Sequence, residues 1–447
     1  MVASRVSRPR RASLALALAA LAASGGVTFA AFSAQTSNDA SSVGAAPDWT
    51  APSTSRSVIA RSSGGDVGAI SQGDGYYVYA EVTDSGNPPS GVASASADVG
   101  AVTAGQTAAP LSAGPCPCTV GGLSYNRRSP LLSADNPLAD GAKSYSITSS
   151  DSASPVNTRS DSGFSVTADS TPPAISAAVV QKSAGGAGAY IKQGASYYVY
   201  ANVTDATGVA SVSADTGSFD TGETAAPLSA GSWTVDGMTY SHRSALLTAN
   251  ATIAAGSYGF AITAADTLAQ AATRSTDAVQ VDNTAPTATD VQAANAAATP
   301  GRAEEDDTLT YTFSEPIEPS TILAGWTGAA TDVVVRIADA TNDTLTVADS
   351  ANTAQLPLGS LDLGRADYVE ALCGFGRTPR KSRMTLGGTS VTIVFGLRFS
   401  GTPCSTIAAA TGTMTWTPSA SASVTDRAGN AMATTVRTET GTADKEF

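Results

Sequence analysis

Histidine is almost missing from this chain: one copy, His242, occurs in 447 residues. A metal site built on imidazoles is thereby excluded, and any Ser-His-Asp or Cys-His relay would hang on that one position. The equivalent position in an internal repeat is Arg127, so His242 reads as a polar site on a strand surface. Cysteine is scarce too, with four residues, which excludes a disulfide-dense scaffold. Charged residues make up 14% and aromatics 6%, too little charge for a long helical protein or a solvated disordered chain. Positive charge is the scarcer sign, with 25 Lys and Arg against 38 Asp and Glu for a net −13. No basic domain offsets it, which argues against nucleic acid as a partner. No P-loop, H-E-x-x-H or G-x-S-x-G motif occurs.

What is present is repetition. Tyr76-Tyr-Val-Tyr-Ala-Glu-Val-Thr-Asp84 returns as Tyr197-Tyr-Val-Tyr-Ala-Asn-Val-Thr-Asp205, 121 residues later. Thr107–Gly114 and Arg128–Leu132 return at Thr224 and Arg243, offset by 117 and 115 residues. A period that long is a whole domain, because solenoid repeats run roughly 20 to 50 residues. In the second copy Val199, Ala201 and Val203 share one face at period two, while Tyr198, Tyr200 and Asn202 share the other. Phe260, Ile262 and Ala264 form another such face, as do Val279 and Val281. Strand-sized runs recur between Gly, Pro, Asn and Asp turns, and no later stretch holds a helical period. The fold class expected is all-β, as three tandem Ig-like β-sandwiches.

The N-terminus carries Arg5, Arg8, Arg10 and Arg11, an apolar run from Leu14 to Ala23, and small residues through Ala31. This is the pattern of a signal peptide, residues 1–31, with the mature chain starting between Ala30 and Ser33 and carrying a charge near −17. The stretch Gly26-Val-Thr-Phe-Ala-Ala-Phe-Ser33 resembles export signals of TasA and camelysin-type proteins, which implies cleavage by a SipW-type peptidase. Residues 32–56 read as a flexible leader. No second apolar run of ~20 residues follows, so the expected product is secreted, held at most loosely at the cell surface, with no membrane span after signal removal.

Asp169-Ser-Thr-Pro-Pro173 and Asp282-Asn-Thr-Ala-Pro286 punctuate the copies, with Asp48-Trp-Thr-Ala-Pro52 as a weaker third instance. Proline there interrupts strand pairing and stiffens the passage onward. Modules are accordingly expected at 57–171, 172–284 and 285–447. These D-x-T-x-P junctions and the strands between them resemble tandem bacterial Ig-like domains. In the last segment Leu309, Tyr311 and Phe313 alternate with threonines. Its Phe313-Ser-Glu-Pro-Ile317 opening and Thr425-Asp-Arg-Ala-Gly-Asn430 close resemble Ig-like domains of S-layer and related secreted proteins, which implies a structural or adhesive role.

Candidate chemistry is sparse. Glu304, Glu305, Asp306 and Asp307 form a run, but neighbours on a strand point to opposite faces, and a glycosidase needs two carboxyls across one cleft; the run reads as a solvated turn. Calcium needs only oxygen ligands at loop ends, and Asp84, Asp205, Asp426 and Asn430 could supply them. Tyr198 and Tyr200 could form a glycan-stacking platform. Arg377, Arg380, Lys381 and Arg383 crowd one loop, where they could dock an anionic envelope polymer. Cys116-Pro-Cys118 decorates a loop of the first copy only. Residues that close bridge only with strain, and a thiol-redox or metal role stays open there. Cys373 and Cys404 are expected to form a disulfide, since export places them in an oxidising compartment. The functional expectation is a non-catalytic extracellular structural or adhesive protein whose partners are cell-envelope components or other surface proteins. A carbohydrate- or calcium-binding array is the alternative; a carboxylate-dependent glycoside hydrolase lacks a motif.

Overall fold

The computed structural model describes residues 48–447 apart from 66, 297–298, 400–404 and 421–423. The signal peptide, most of the leader and Cys404 lie outside the described residues. Among those residues there is no α-helix, only a single 3-10 turn at Pro319–Thr321, and no helix is long and apolar enough to cross a membrane.

Three separate hydrophobic cores follow one another along the chain. In the first module Ser53–Arg61 pairs antiparallel with Gly75–Thr83, Arg61 lying opposite Tyr76. The facing sheet runs Ala69–Ile70, Thr158–Ala168, Gly141–Asp151, Val92–Asp98 and Ala109–Pro110. The first strand begins ahead of Ser57, so the leader is shorter than expected. The second module repeats the pairing, with Lys182 opposite Tyr197. Its strand Ala226–Val235 starts against Val209–Asp215 and then crosses to Met238–Ser244, stitching one sheet to the other. In the third module the strands form one connected path from Ala288–Ala294 to Arg437–Thr438.

The alternating faces fall where the side-chain period puts them. Val199 and Ala201 are fully buried and Val203 nearly so, as are Ile262, Ala264, Val279 and Val281. Leu309, Tyr311 and Phe313 enter the third core, where Trp416 meets the rings of Tyr311 and Phe313 edge-on at 4.9 and 5.2 Å and donates its indole N–H to the Leu358 carbonyl. Such T-shaped pairs add to what area burial contributes.

Several surface expectations are corrected. Tyr200 is only 5% exposed, because Trp233 and Tyr240 from the long hairpin fold over the outer sheet face and cover it. Arg243 then stacks on Tyr198 at 4.4 Å and on Trp233 at 4.8 Å. Tyr198 and Tyr200 are thus part of a second, outer cluster, not an open platform. His242 is buried; burial holds its pKa below the ordinary value, and its Nδ1 lies 2.9 Å from the Ser241 hydroxyl. Cys116 and Cys118 are joined in a disulfide, their Cα atoms brought to 4.5 Å by the turn at Pro117, so neither is a free thiol or metal ligand. Asp307 is wholly buried, its carboxylate accepting the amides of Ala296 and Glu304; the acidic run is therefore only partly a solvated turn.

Candidate metal centre at the module junctions

Each module opens with the same local device. In D-x-T the first aspartate bends back to accept the amide two residues on: Asp48 from Thr50, Asp169 from Thr171 and Asp282 from Thr284, at 2.9 to 3.0 Å. This is the Asx-turn that aspartate favours for its own backbone geometry. A second carboxylate ends the repeated strand, as Asp84, Asp205 or Glu315. A third starts a later loop, as Asp151, Asp266 or Asp426, whose Oδ1 accepts the amide of Asn157, Gln270 or Asn430. Folding brings the three together at the head of each module, against the preceding one in modules two and three.

The second module holds the open version. Asp169, Asp205 and Asp266 each offer a carboxylate oxygen, all within 4.8 Å of one another. Asp266 turns its Oδ1 to the amides of Leu268 and Gln270, and Asp205 turns its Oδ1 to Thr207 and Gly208. The other oxygens of Asp169 and Asp266 are buried with no hydrogen-bond partner, although the two residues are only 2% and 3% exposed. Buried carboxylate oxygens are costly to leave unsatisfied.

The reason lies in one residue. In module one Asn157 donates its side-chain amide to the second oxygen of Asp151 and to the Asp48 carbonyl, at 2.7 and 2.9 Å. In module three Asn430 does the same for Asp426 and the Asp282 carbonyl, at 2.7 and 2.8 Å. In module two the corresponding residue is Gln270, whose longer side chain reaches across to Ser71 of the first module at 3.2 Å. Asp266 is left without its clip.

Asp282, Glu315 and Asp426 form the second group within 4.8 Å. Burial, with the neighbouring charges of Asp282 and Asp426, pushes the Glu315 pKa up to about 7. Of the residues expected to bind calcium, Asp205 and Asp426 are thus brought into carboxylate groups. Asn430 is corrected: it is a clip whose amide N–H groups face the carboxylate. Asp84 points its two oxygens at the amides of Gly86 and Gly91, and its trio does not close to the same distance. Sequence reasoning missed Asp169, Asp266, Asp282 and Glu315. The signal was available, since Asp48 and Asp84 recur 121 residues on as Asp169 and Asp205, and Asp151 recurs 115 on as Asp266.

The basic loop is partly met by acidic neighbours. Arg380 pairs with Asp306 and Glu305, Lys381 donates to the Ser350 carbonyl, and Arg383 lies 3.6 Å from Asp332. Arg377 and Lys381 make no ion pair among the described residues, so acidic neighbours offset two of the four cations. Cys373 is wholly buried and is not a free thiol; its expected partner Cys404 lies outside the described residues.

No family model matches this sequence, and no curated protein sequence does. Among solved structures the chain is similar to the I67–I69 fragment of the titin I-band, at 12% identity over 83% of this chain and 94% of that one, with a TM-score of 0.24. A Corynebacterium diphtheriae chain described as membrane anchored matches at 13% identity over 88% and 97%, TM-score 0.20. A Dscam structure on isoform specificity matches at 9% over 87% and 98%, TM-score 0.23. Scores this low carry no functional argument.

Proposed function

We propose that this protein is a non-catalytic, extracellular structural or adhesive rod whose modules are held in line by divalent cations at their junctions. The observation that carries the cation is the pair of buried, unpartnered oxygens on Asp169 and Asp266 beside Asp205. Carboxylate oxygens that all lie within 4.8 Å of one another can share one ion bound at 2.3–2.6 Å. Magnesium, bound at about 2.1 Å, demands near-ideal octahedral geometry and holds its water more firmly, so it is seldom caged by protein carboxylates alone. Calcium is therefore the fitting ion, and the site joins two modules because Gln270 and Arg61 already bridge them.

Filling such a site would limit rocking between modules, which is what a spacer or adhesive stalk requires and a hydrolase does not. Calorimetric titration of the chelator-stripped chain with calcium, paired with small-angle scattering, tests this. Saturable binding with a narrower distribution of lengths is expected, and Asp205→Asn should weaken binding. Absence of binding heat together with an unchanged scattering profile would overturn it.

A further inference from the structure

The three module heads differ in what holds the carbonyl of the opening aspartate. In the first and third modules an asparagine holds it: Asn157 donates to the Asp48 carbonyl and Asn430 to that of Asp282, at 2.9 and 2.8 Å. The same amide nitrogen also fills the second oxygen of Asp151 or Asp426. In the second module the Asp169 carbonyl is held from outside. It accepts the hydroxyl of Ser71, a residue of the first module, at 2.8 Å. A hydroxyl has one proton to give. With that proton on Asp169, the Ser71 oxygen accepts the side-chain amide of Gln270 at 3.2 Å. Ser71 is 2% exposed, so bulk water does not compete for these bonds.

Sheet register confines this contact to one junction. Ala69–Ile70 lies parallel to Thr167 and Ala168, as Tyr190–Ile191 lies parallel to Gln280 and Val281. The residue that follows each short strand is therefore Ser71 in module one and Lys192 in module two. An ammonium carries donors only. Lys192 reaches the Gly429 carbonyl at 2.7 Å and cannot accept an amide, so Asn430 stays on its aspartate. Ser71 does two things at once: it satisfies the carbonyl that asparagine fills elsewhere, and it draws Gln270 away from Asp266. The result is the pair of buried oxygens on Asp169 and Asp266 that have no hydrogen-bond partner.

We propose that Ser71 is a positioning residue that opens the cation site of the second module when the first module docks on it, so that docking and calcium binding reinforce each other. This rests on the cation reading above and narrows it to one junction. Amide N–H groups turned toward a carboxylate, as at Asn157 and Asn430, stand where an ion needs oxygen ligands. Undocked, Gln270 has no Ser71 to hold and folds back on Asp266 and the Asp169 carbonyl, the two acceptors its asparagine counterparts fill. By linkage, whatever docking adds to calcium affinity, calcium adds to docking.

Calorimetric titration of the full chain with calcium tests it, on variants whose circular dichroism matches the parent. The parent should bind one ion. Ser71→Ala should weaken binding about tenfold, although Ser71 supplies no ligand. Gln270→Asn should close the site and abolish binding. Gln270→Ala removes the side chain that would close it and should bind as the parent does, and adding Ser71→Ala to it should weaken binding no further. A serine that merely steadied the junction would weaken both backgrounds alike. Equal weakening in both backgrounds, no weakening by Ser71→Ala, undiminished binding by Gln270→Asn, or two ions per parent chain would each overturn the proposal and leave the cation reading standing. A parent that binds no calcium would overturn both.

Discussion

Asp266→Asn should change sign with the buffer, and that inversion is the sharpest test of the junction chemistry. Three carboxylates within 4.8 Å repel pairwise by about 3 to 4 kcal/mol at an effective dielectric of about 20. Asp266 takes part in two of the three pairs. Asparagine keeps the Oδ1 that accepts Leu268 and Gln270 and puts a neutral amide where the unpartnered oxygen stood. In chelator, therefore, the variant should melt above the parent. With calcium at a hundred times its dissociation constant the parent gains about 2.7 kcal/mol. At about 4 °C per kcal/mol for a domain near this size, its melting temperature should rise by about 10 °C. The variant, having lost a ligand, should gain far less and now melt below the parent. Differential scanning calorimetry of both chains in both buffers reads the four values. The same order in chelator and in calcium, or melting of the parent insensitive to chelation, would refute the reasoning.

Three further outcomes are expected. Glu446 is 2% exposed, and burial, with the charges of Glu439 and Asp444, pushes its pKa up to about 9. Its contribution is present in full below its ordinary value of about 4.5 and is lost as pH rises through about 9; Glu446→Gln should match the parent at low pH and raise the third module's melting temperature above it in alkali, and parallel profiles would contradict this. Lys182 and Glu318 form a pair at 3.5 Å whose side chains are 8% and 7% exposed, so Lys182→Met strands a buried carboxylate at a cost of about 3 to 5 kcal/mol, most of it recovered by adding Glu318→Leu. Denaturant unfolding measures this, and equal losses in the single and double variants would count against it. Cys373 should be bridged to Cys404 across 31 residues, stabilising the module by about 3 to 4 kcal/mol; alkylation of both thiols in secreted, unreduced protein would reject the bridge.

Period-two alternation and a repeat of domain length were enough to read three β-sandwiches and their core faces from the residues alone. Val199, Ala201, Val203, Leu309 and Tyr311 were legible because the strand geometry that sets their spacing also sets their burial. The D-x-T-x-P junctions were legible as module boundaries because proline interrupts strand pairing, whereas the turn made by their aspartates was not. What tertiary structure decided was which turn carboxylates meet. Asp169, Asp205 and Asp266 are far apart in sequence, and only the folding of the module brings their oxygens within 4.8 Å. It also decided that Gln270 reaches for Ser71 where asparagine would have closed the site, that Trp233 and Tyr240 cover Tyr200, and that Asp306 and Glu305 neutralise Arg380. Local pattern fixes which way a side chain points; whether a partner stands there depends on contacts between segments that no short-range spacing encodes.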